Sequence, residues 1–288
     1  MRIWAVGTTR NEVDLIRANV LHHHAQGIEK MLLVDNDSRD GTRDVLQELA
    51  AMSLVEWQPY RGPFRQNVLL TELARRAHHS GADWVIPIDA DEFWYAPDGN
   101  IQMVLENHDV DAVRVQLRNF VQHRDQRYNT PEALLRMTRT VPEPLGAMQE
   151  AEALVESETI AYVEHLYHYK WIHRASHDLS IGWGNHTIDT QRSSAPTDGI
   201  LCLHAPLRSY EVLEAKVDAD RPAREIDDYF AIAWHLRRWR RLAWEGRLED
   251  EWRANSYLDD ALDLYGRARP LVVDNRLHDL LRPWIKRP

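Results

Sequence analysis

A three-layer α/β/α fold with a mostly parallel central sheet and a C-terminal helical extension is what the sequence predicts. Three observations lead there. Short apolar runs, Ile3-Trp4-Ala5-Val6, Met31-Leu32-Leu33-Val34 and Trp84-Val85-Ile86-Pro87-Ile88, alternate with stretches of helical periodicity. Each run is apolar throughout, as in a strand covered on both faces. A polar cluster directly follows each run, at the carboxyl ends where ligands bind in such sheets.

The elements follow in order. The first strand ends at Gly7-Thr8-Thr9; Asn11 offers a helix cap, and Leu15, Ile16, Asn19, Val20 and His23 keep helical spacing until Gly27 stops the helix. The second strand runs into Asp35-Asn36-Asp37-Ser38, and Asp40-Gly41-Thr42 turns the chain into a helix with Val45, Leu46 and Leu49 inward. Val55 marks a short third strand, and Val68, Leu69, Leu73 and Ala77 a helix before the strand that ends at Asp89-Ala90-Asp91-Glu92-Phe93. Val113, Val115 and Leu117 alternate with polar neighbours, the mark of a half-exposed strand. Residues 120–151, with Pro131, Pro142 and Pro144, form either a substrate-facing loop or a surface excursion; residues 160–169 return to the sheet, and Leu201-Cys202-Leu203-His204 adds a strand.

Beyond Pro206 the pattern is helical, with one stripe of Ile226, Phe230, Ala233, Trp234 and Arg237 and another of Ile232, Leu236, Trp239 and Ala243. The expected division is a catalytic domain over residues 1–210 and a helical extension over residues 211–288 packed on it. Arg237, Arg238, Arg240 and Arg241 among the tryptophans also allow peripheral contact with an anionic membrane through Trp234 and Trp239, against which Glu249, Asp250, Glu251, Asp259 and Asp260 add negative charge.

Composition narrows the partners. A chain of 288 residues, 44% hydrophobic, buries roughly three quarters of its unfolded surface. A formal charge of -10 repels a nucleic acid backbone, so no nucleic acid partner is expected. The single cysteine, Cys202, reads as a buried thiol, excludes an intrachain disulfide and fits a reducing, cytoplasmic setting. No opening segment resembles a signal peptide and no apolar run approaches the ~20 residues that span a bilayer, so a soluble protein is expected, at most peripheral at the inner face of a membrane.

Asp89 and Asp91, two residues apart after a strand, point to one side of an extended backbone or converge through a turn. Their hard oxygens suit Mg2+ or Mn2+ bridged to phosphate; alternatively they are turn or helix-capping carboxylates. Asp35 and Asn36 either cap the next helix or recognise a nucleobase and ribose, and with Thr8, Arg10 and Glu12 they make a nucleotide cradle. His22, His23 and His24 diverge around a helix and read as structural.

The segments Thr9-Arg10-Asn11-Glu12, Leu33-Val34-Asp35-Asn36-Asp37-Ser38-Arg39-Asp40-Gly41-Thr42 and Ile88-Asp89-Ala90-Asp91-Glu92-Phe93 resemble family 2 glycosyltransferases of the GT-A fold, more narrowly a bacterial branch with a D-A-D-E-F signature. Lys170-Trp171-Ile172-His173-Arg174, Gly184-Asn185-His186, Leu203-His204-Ala205-Pro206-Leu207-Arg208-Ser209-Tyr210-Glu211 and Lys216 continue the likeness. The resemblance implies a UDP- or GDP-type sugar donor, with Thr8 and Glu12 in the nucleotide pocket and Asp35 and Asn36 near the base. It implies Asp89 near ribose or metal, Asp91 as principal metal ligand and His204 approaching the cation and diphosphate. Inversion by direct displacement is also implied; Arg174 or Arg208 is a helper that stabilises the released diphosphate, Lys170 and Arg174 either hold a donor phosphate or are solvated at the surface, and Glu150, His186 and Asp189 are the candidate proton acceptors. His186 is otherwise a residue that orders an acceptor loop. Glu92 reads as a support of the Asp91 loop, and Trp94 and Tyr95 either stack on a sugar or pack a hinge. The acceptor is a glycan, lipid or small molecule. A nucleotidyltransferase and a non-catalytic nucleotide-sugar-binding module are the competing readings; the brief Gly7-Thr8-Thr9-Arg10 lacks the basic, glycine-rich phosphate loop of the former.

Overall fold

The computed structural model describes residues 1–187, 191–217 and 233–285. In chain order they form β1 (Ile3–Thr9), α1 (Ile16–Ala25), β2 (Lys30–Asn36), α2 (Thr42–Ala51), β3 (Val55–Tyr60), α3 (Gln66–His79), β4 (Trp84–Pro87) and β5 (Glu92–Tyr95). Next come α4 (Ile101–Leu105), β6 (Ala112–His123), β7 (Arg139–Thr140), α5 (Ala151–Glu156), β8 (Lys170–Arg174), β9 (Ser194–His204) and α6 (Tyr210–Val217). Then follow α7 (Trp234–Trp244), α8 (Leu248–Ala254), β10 (Ser256–Leu258), β11 (Ala261–Leu264), β12 (Arg267–Pro270), β13 (Val272–Val273) and α9 (Arg276–Ile285). They gather into two compact units, Met1–Arg118 with His168–Leu203, and Asn119–Tyr167 with His204–Pro288.

In the first unit β3, β2, β1 and β4 are neighbours and all parallel, so the mixed α/β fold with a mostly parallel sheet is as predicted. β8 is antiparallel to β4, and the first residues of β6 are antiparallel to β8. β1, β2 and β4 read as apolar runs because they are buried nearly throughout; Leu69, Leu70 and Leu73 of α3 pack on Trp4, Val6, Leu32 and Val85. Gly7 is required by a close approach, since a Cβ there would lie 2.8 Å from the Ile88 carbonyl oxygen, one residue before Asp89.

α1 starts at Ile16, later than a cap at Asn11 predicts. Asn11 takes a left-handed φ of 54° and its side-chain oxygen accepts from the Arg39 amide at 2.8 Å, so its polar group ties two loops together instead of capping a helix. The return to the sheet predicted over residues 160–169 is also corrected: Tyr162–Glu164 is a 3-10 turn, and the strand begins at Lys170.

In the second unit the last residues of β6 pair in parallel with β10, and β10, β11 and β12 form an antiparallel meander. The stretch beyond residue 210 thus carries four short strands in addition to helices. Its turns, Asp259-Asp260 and Tyr265-Gly266, have positive φ at both central residues, as tight hairpins require. Trp239, 0% exposed, packs in a core with Tyr162, Leu207, Leu236 and Trp252, and its indole donates to Glu251 at 3.0 Å. Buried Arg238 pairs with Glu251 at 2.9 Å, Arg237 with Glu152 at 2.8 Å and Arg241 with Glu156. Packing and acidic partners therefore absorb Trp239 and these arginines, which corrects the reading of Trp239 as a lipid contact. Ile226, Phe230 and Ile232 lie outside the described residues. Among the described residues no helix is long and apolar enough to cross a membrane.

Candidate active site

Three strand ends and their loops assemble the site in the first unit. The register Thr9 to Asp35 sets the carboxyl end of β1 beside that of β2. The loop after β1 is tied down by the loop after β2: the amides of Asn11, Glu12 and Val13 donate to Ser38 Oγ at 2.9 Å, Thr42 Oγ1 at 2.9 Å and Asp40 Oδ2 at 3.1 Å. The sequence S-R-D-G-T is therefore a clamp on the segment that carries Arg10 and Glu12. Thr8 is half-buried on β1.

Asp35 is fully buried and accepts from Arg43 Nε at 2.5 Å and from the Ser38 amide at 3.3 Å. Asn36 is 5% exposed, and none of the hydrogen bonds among the described residues engages its side chain. An amide in that state presents both a donor and an acceptor to a ligand edge.

Beyond β4 the chain turns through Asp89-Ala90-Asp91, closed by the Glu92 amide donating to the Asp89 carbonyl at 3.0 Å. Its neighbours fix this turn from three sides. Asn19 of α1 donates to the carbonyls of Ala90 at 2.9 Å and Glu92 at 2.8 Å. His22 Nε2 donates to the Trp94 carbonyl at 2.8 Å, while the Trp94 amide donates to His23 Nε2 at 3.1 Å. Burial pushes the His22 imidazole down to about 4 and His23 well below its ordinary value, so both rings are neutral, as this pattern needs. His22 and His23 are structural and hold β5 just after the acidic loop, whereas His24 is exposed and meets the Ile28 carbonyl.

Below the loop lies Lys170, whose side chain is 4% exposed. Its ammonium stands 2.8 Å from Asp89 and 2.6 Å from Glu92, and Gln66 donates to the other Asp89 oxygen at 2.7 Å. Burial opposes the charge, but the two carboxylates overcome it and hold the ammonium above its ordinary pKa. Lys170 is thus engaged with the acidic loop, not extended toward a phosphate. Glu92, 1% exposed, also accepts from the Asp89 amide and the Trp94 indole, each at 3.2 Å. Asp91 is partly exposed.

Gly184-Asn185-His186 is pinned to β8, because Asn185 donates to the Trp171 carbonyl at 2.7 Å and pairs with His173 Nε2 at 2.8 Å. His186 Nδ1 donates to the Tyr169 carbonyl at 3.2 Å, which leaves the lone pair on Nε2. Burial, then the Lys170 ammonium, push its pKa down to about 3, so the ring is neutral and a weak proton acceptor.

The remaining predicted residues fall elsewhere. Arg174 pairs in register with Trp84, at the amino end of β4; its guanidinium donates to the carbonyls of Val110 and His108 and covers the Trp84 ring. Because β8 is antiparallel to β4, Lys170 and Arg174 sit at opposite ends of the strand, and Arg174 does not join Asp89. His204 and buried Arg208 belong to the second unit, where His204 Nδ1 meets Asn119 Oδ1 at 2.7 Å. Glu150, also there, is exposed and accepts from the Ala147 amide at 3.4 Å, and Asp189 lies outside the described residues. Sequence reasoning missed Asn19 and Gln66; the available signal was an amide on the inward face of a helix, which burial tolerates only with partners.

The acidic loop carries hard carboxylate oxygens, the donor type that Mg2+ and Mn2+ take. Among the described residues no three His, Cys, Asp or Glu side chains gather to hold a metal. Mg2+ and Mn2+ sites that bind substrate phosphates need only one or two carboxylates, the remainder coming from phosphate and water. On this loop Asp91 is partly exposed, and both Asp89 oxygens are engaged by Lys170 and Gln66.

The fold and its strand-end clusters define an α/β protein with polar groups gathered at the carboxyl ends of parallel strands, where ligands bind in such sheets. The chain belongs to glycosyl transferase family 2, which matches residues 5–173. A glycosyltransferase family 92 protein of Oryza sativa subsp. japonica is 32% identical over 104 residues, 35% of this chain and 18% of that protein's length. Among solved structures, residues 1-349 of TarS from S. aureus are similar at 14% identity and a TM-score of 0.39, over 82% of this chain and 73% of that one. The mannosyltransferase PcManGT from Pyrobaculum calidifontis, solved with GDP-Man and Mn2+, is similar at 16% identity and a TM-score of 0.42, over 88% of this chain and 74% of that one.

Proposed function

We propose that the protein transfers a sugar from a nucleoside diphosphate sugar, of UDP or GDP type, to an acceptor hydroxyl with inversion, and that residues 1–210 hold the machinery. The observation that carries this reading is the partly exposed Asp91 carboxylate on a loop held by α1, α3 and β8 at a strand end, in a chain of this family. Thr8, Arg10 and Glu12 line the donor pocket on the clamped loop, Asp35 orders it through Arg43, and Asn36 reads the base edge with its amide. Asp89, turned by Lys170 and Gln66, faces the ribose.

Asp91, with the donor's phosphates, would hold Mn2+ or Mg2+, and the cation when bound would neutralise charge developing on the leaving diphosphate. His186, neutral and with its lone pair on Nε2, accepts a hydrogen bond from a sugar hydroxyl and orients it. Its low basicity directs the acceptor proton to another group.

Calorimetry with UDP, GDP and their sugars, with and without manganese, tests this on the intact protein and Asp91→Ala. Manganese-dependent binding of one diphosphate, lost in the variant, supports it and identifies the base. Binding of a nucleoside triphosphate alone would point to nucleotidyl transfer, and binding without turnover over a broad acceptor panel to a recognition module.

A further inference from the structure

Gly184 and Asn185 are consecutive left-handed residues, with φ of 60° and 57°, directly before His186. Glycine takes that backbone freely and asparagine more readily than most side chains, so the turn is built into the two residue types. Gly184 is needed for space as well. A Cβ there would lie 2.7 Å from His186 Cδ2 and 2.8 Å from Nε2, and among the described residues beyond its chain neighbours the three nearest atoms to that position all belong to this ring. The glycine thus lets the imidazole fold back over the turn and leaves room beside Nε2.

Asn185, 1% exposed, locks the turn onto β8. Its Nδ2 donates to the Trp171 carbonyl at 2.7 Å, so the amide atom 2.8 Å from His173 Nε2 is the oxygen, and His173 Nε2 carries the proton. Burial pushes the His173 pKa down to about 4, so that ring is neutral and has this one N–H. Its Nδ1 has no hydrogen-bond partner among the described residues, which makes the Asn185 oxygen the polar contact that orients it. Two further bonds complete the lock: the Trp171 indole donates to the His186 carbonyl at 3.2 Å, and His186 Nδ1 donates to the Tyr169 carbonyl at 3.2 Å. All these residues lie in the first unit, with Asp89 and Lys170.

We propose that Gly184 and Asn185 are the positioning residues for His186, presenting its Nε2 lone pair to a hydroxyl of the transferred sugar. The inference rests on the donor-site reading above. The ring feels both the Lys170 ammonium and the Asp89 carboxylate, which sets it on the side of β8 where the acidic loop would hold the diphosphate and the sugar attached to it. An unprotonated Nε2 only accepts, so the group it takes is an O–H, and a carboxylate, carbonyl or phosphate oxygen is repelled there.

The test uses the full chain. Calorimetry in the presence of manganese compares UDP with UDP-glucose and UDP-GlcNAc, and GDP with GDP-mannose. In Asn185→Gly, which keeps the left-handed backbone and removes both side-chain bonds, and in Gly184→Ala, the nucleotide sugar is expected to bind about 3–10-fold more weakly relative to its own diphosphate, the loss of one hydrogen bond. His186→Phe, which keeps a ring without the acceptor, is expected to do the same. Asn185→Gly/His186→Phe is expected to lose no more than His186→Phe alone, because a positioning residue acts through the ring it positions. Long-range 15N–1H correlation, with the ring signals assigned by their loss in His173→Gln and His186→Phe, is expected to show the wild-type proton on Nε2 of His173 and on Nδ1 of His186. The opposite tautomer of either ring overturns the proposal. So does a ratio of nucleotide-sugar to diphosphate affinity that Asn185→Gly leaves unchanged, or that the double variant lowers well beyond His186→Phe; in each case the donor-site reading still stands. If none of these diphosphates binds the wild type, the donor-site reading fails and the role of Nε2 fails with it.

Discussion

Replacing Lys170 with methionine separates the two acids that its ammonium joins. Glu92 is 2.6 Å from that ammonium and almost wholly buried, so the substitution leaves a buried carboxylate without its cation, a loss of about 3–5 kcal/mol. Asp89 is 31% exposed and regains water, so it adds little to that figure. In Lys170→Met/Glu92→Gln the charge is removed with its partner. The amide oxygen introduced in place of the carboxylate still accepts from the Asp89 amide and the Trp94 indole, and the cost falls to about 1–3 kcal/mol. In both variants Asp89 retains Gln66 but loses its cation, so the donor diphosphate is expected to bind at least about 10-fold more weakly even where stability is largely restored. Urea unfolding followed by tryptophan fluorescence measures the first effect and calorimetry the second. A single variant within about 1 kcal/mol of wild type would refute the electrostatic argument. Wild-type donor affinity in the double variant would refute the claim that Lys170 positions Asp89.

Acid should destabilise the protein before its carboxylates titrate. His22 and His173 are held at about 4 and His186 at about 3, against ~6.5 in the unfolded chain, so the unfolded state takes up protons first and stability is lost as pH falls from about 6.5 toward 4. Between pH 7.5 and 5.5 each contributes a loss of about 1.4 kcal/mol, about 4 kcal/mol together, and urea midpoints that stay flat over this interval would contradict it. Gly7→Ala should cost about 1–3 kcal/mol by pushing the Ile88 carbonyl and weaken donor binding through Asp89; a melting temperature equal to wild type would count against the close approach. Asn19→Ala strips the donor from two loop carbonyls, about 1–3 kcal/mol by unfolding titration, and should lower manganese affinity because Asp91 lies between them.

The parallel half of the sheet was legible because its strands are buried on both faces and read as unbroken apolar runs. The meander of β10, β11 and β12 was not, although its signal is present. Leu262 and Leu264 alternate inward on β11, but the strand is four residues long and follows arginine- and tryptophan-rich helices whose period dominates the window. The turns Asp259-Asp260 and Tyr265-Gly266 carry the hairpin chemistry, and the two aspartates were read for charge alone. Asn11 failed as a cap for a related reason: a residue that favours helix starts also tolerates left-handed backbone, and the loop after β2 supplied a better partner.

At the candidate site, the clustering of the acidic loop residues was legible and their orientation was not. D-A-D-E marks the loop, but spacing alone treats Asp89 and Asp91 as equivalent, whereas the fold divides them. Lys170 lies 81 positions from Asp89 in sequence, and antiparallel pairing of β8 with β4 brings it beneath that carboxylate while sending Arg174 to the opposite end of the strand. Two basic residues four positions apart therefore receive opposite fates from strand direction, which no local pattern encodes. The consequence is testable in one comparison. With Asp89 committed to Lys170 and Gln66, Asp91→Asn should abolish manganese binding, whereas Asp89→Asn should leave manganese affinity within a few-fold and weaken the nucleotide instead. Equal loss of manganese in the two variants would mean that Asp89 leaves Lys170 to join the cation, and the division of roles drawn from the resting geometry would fail.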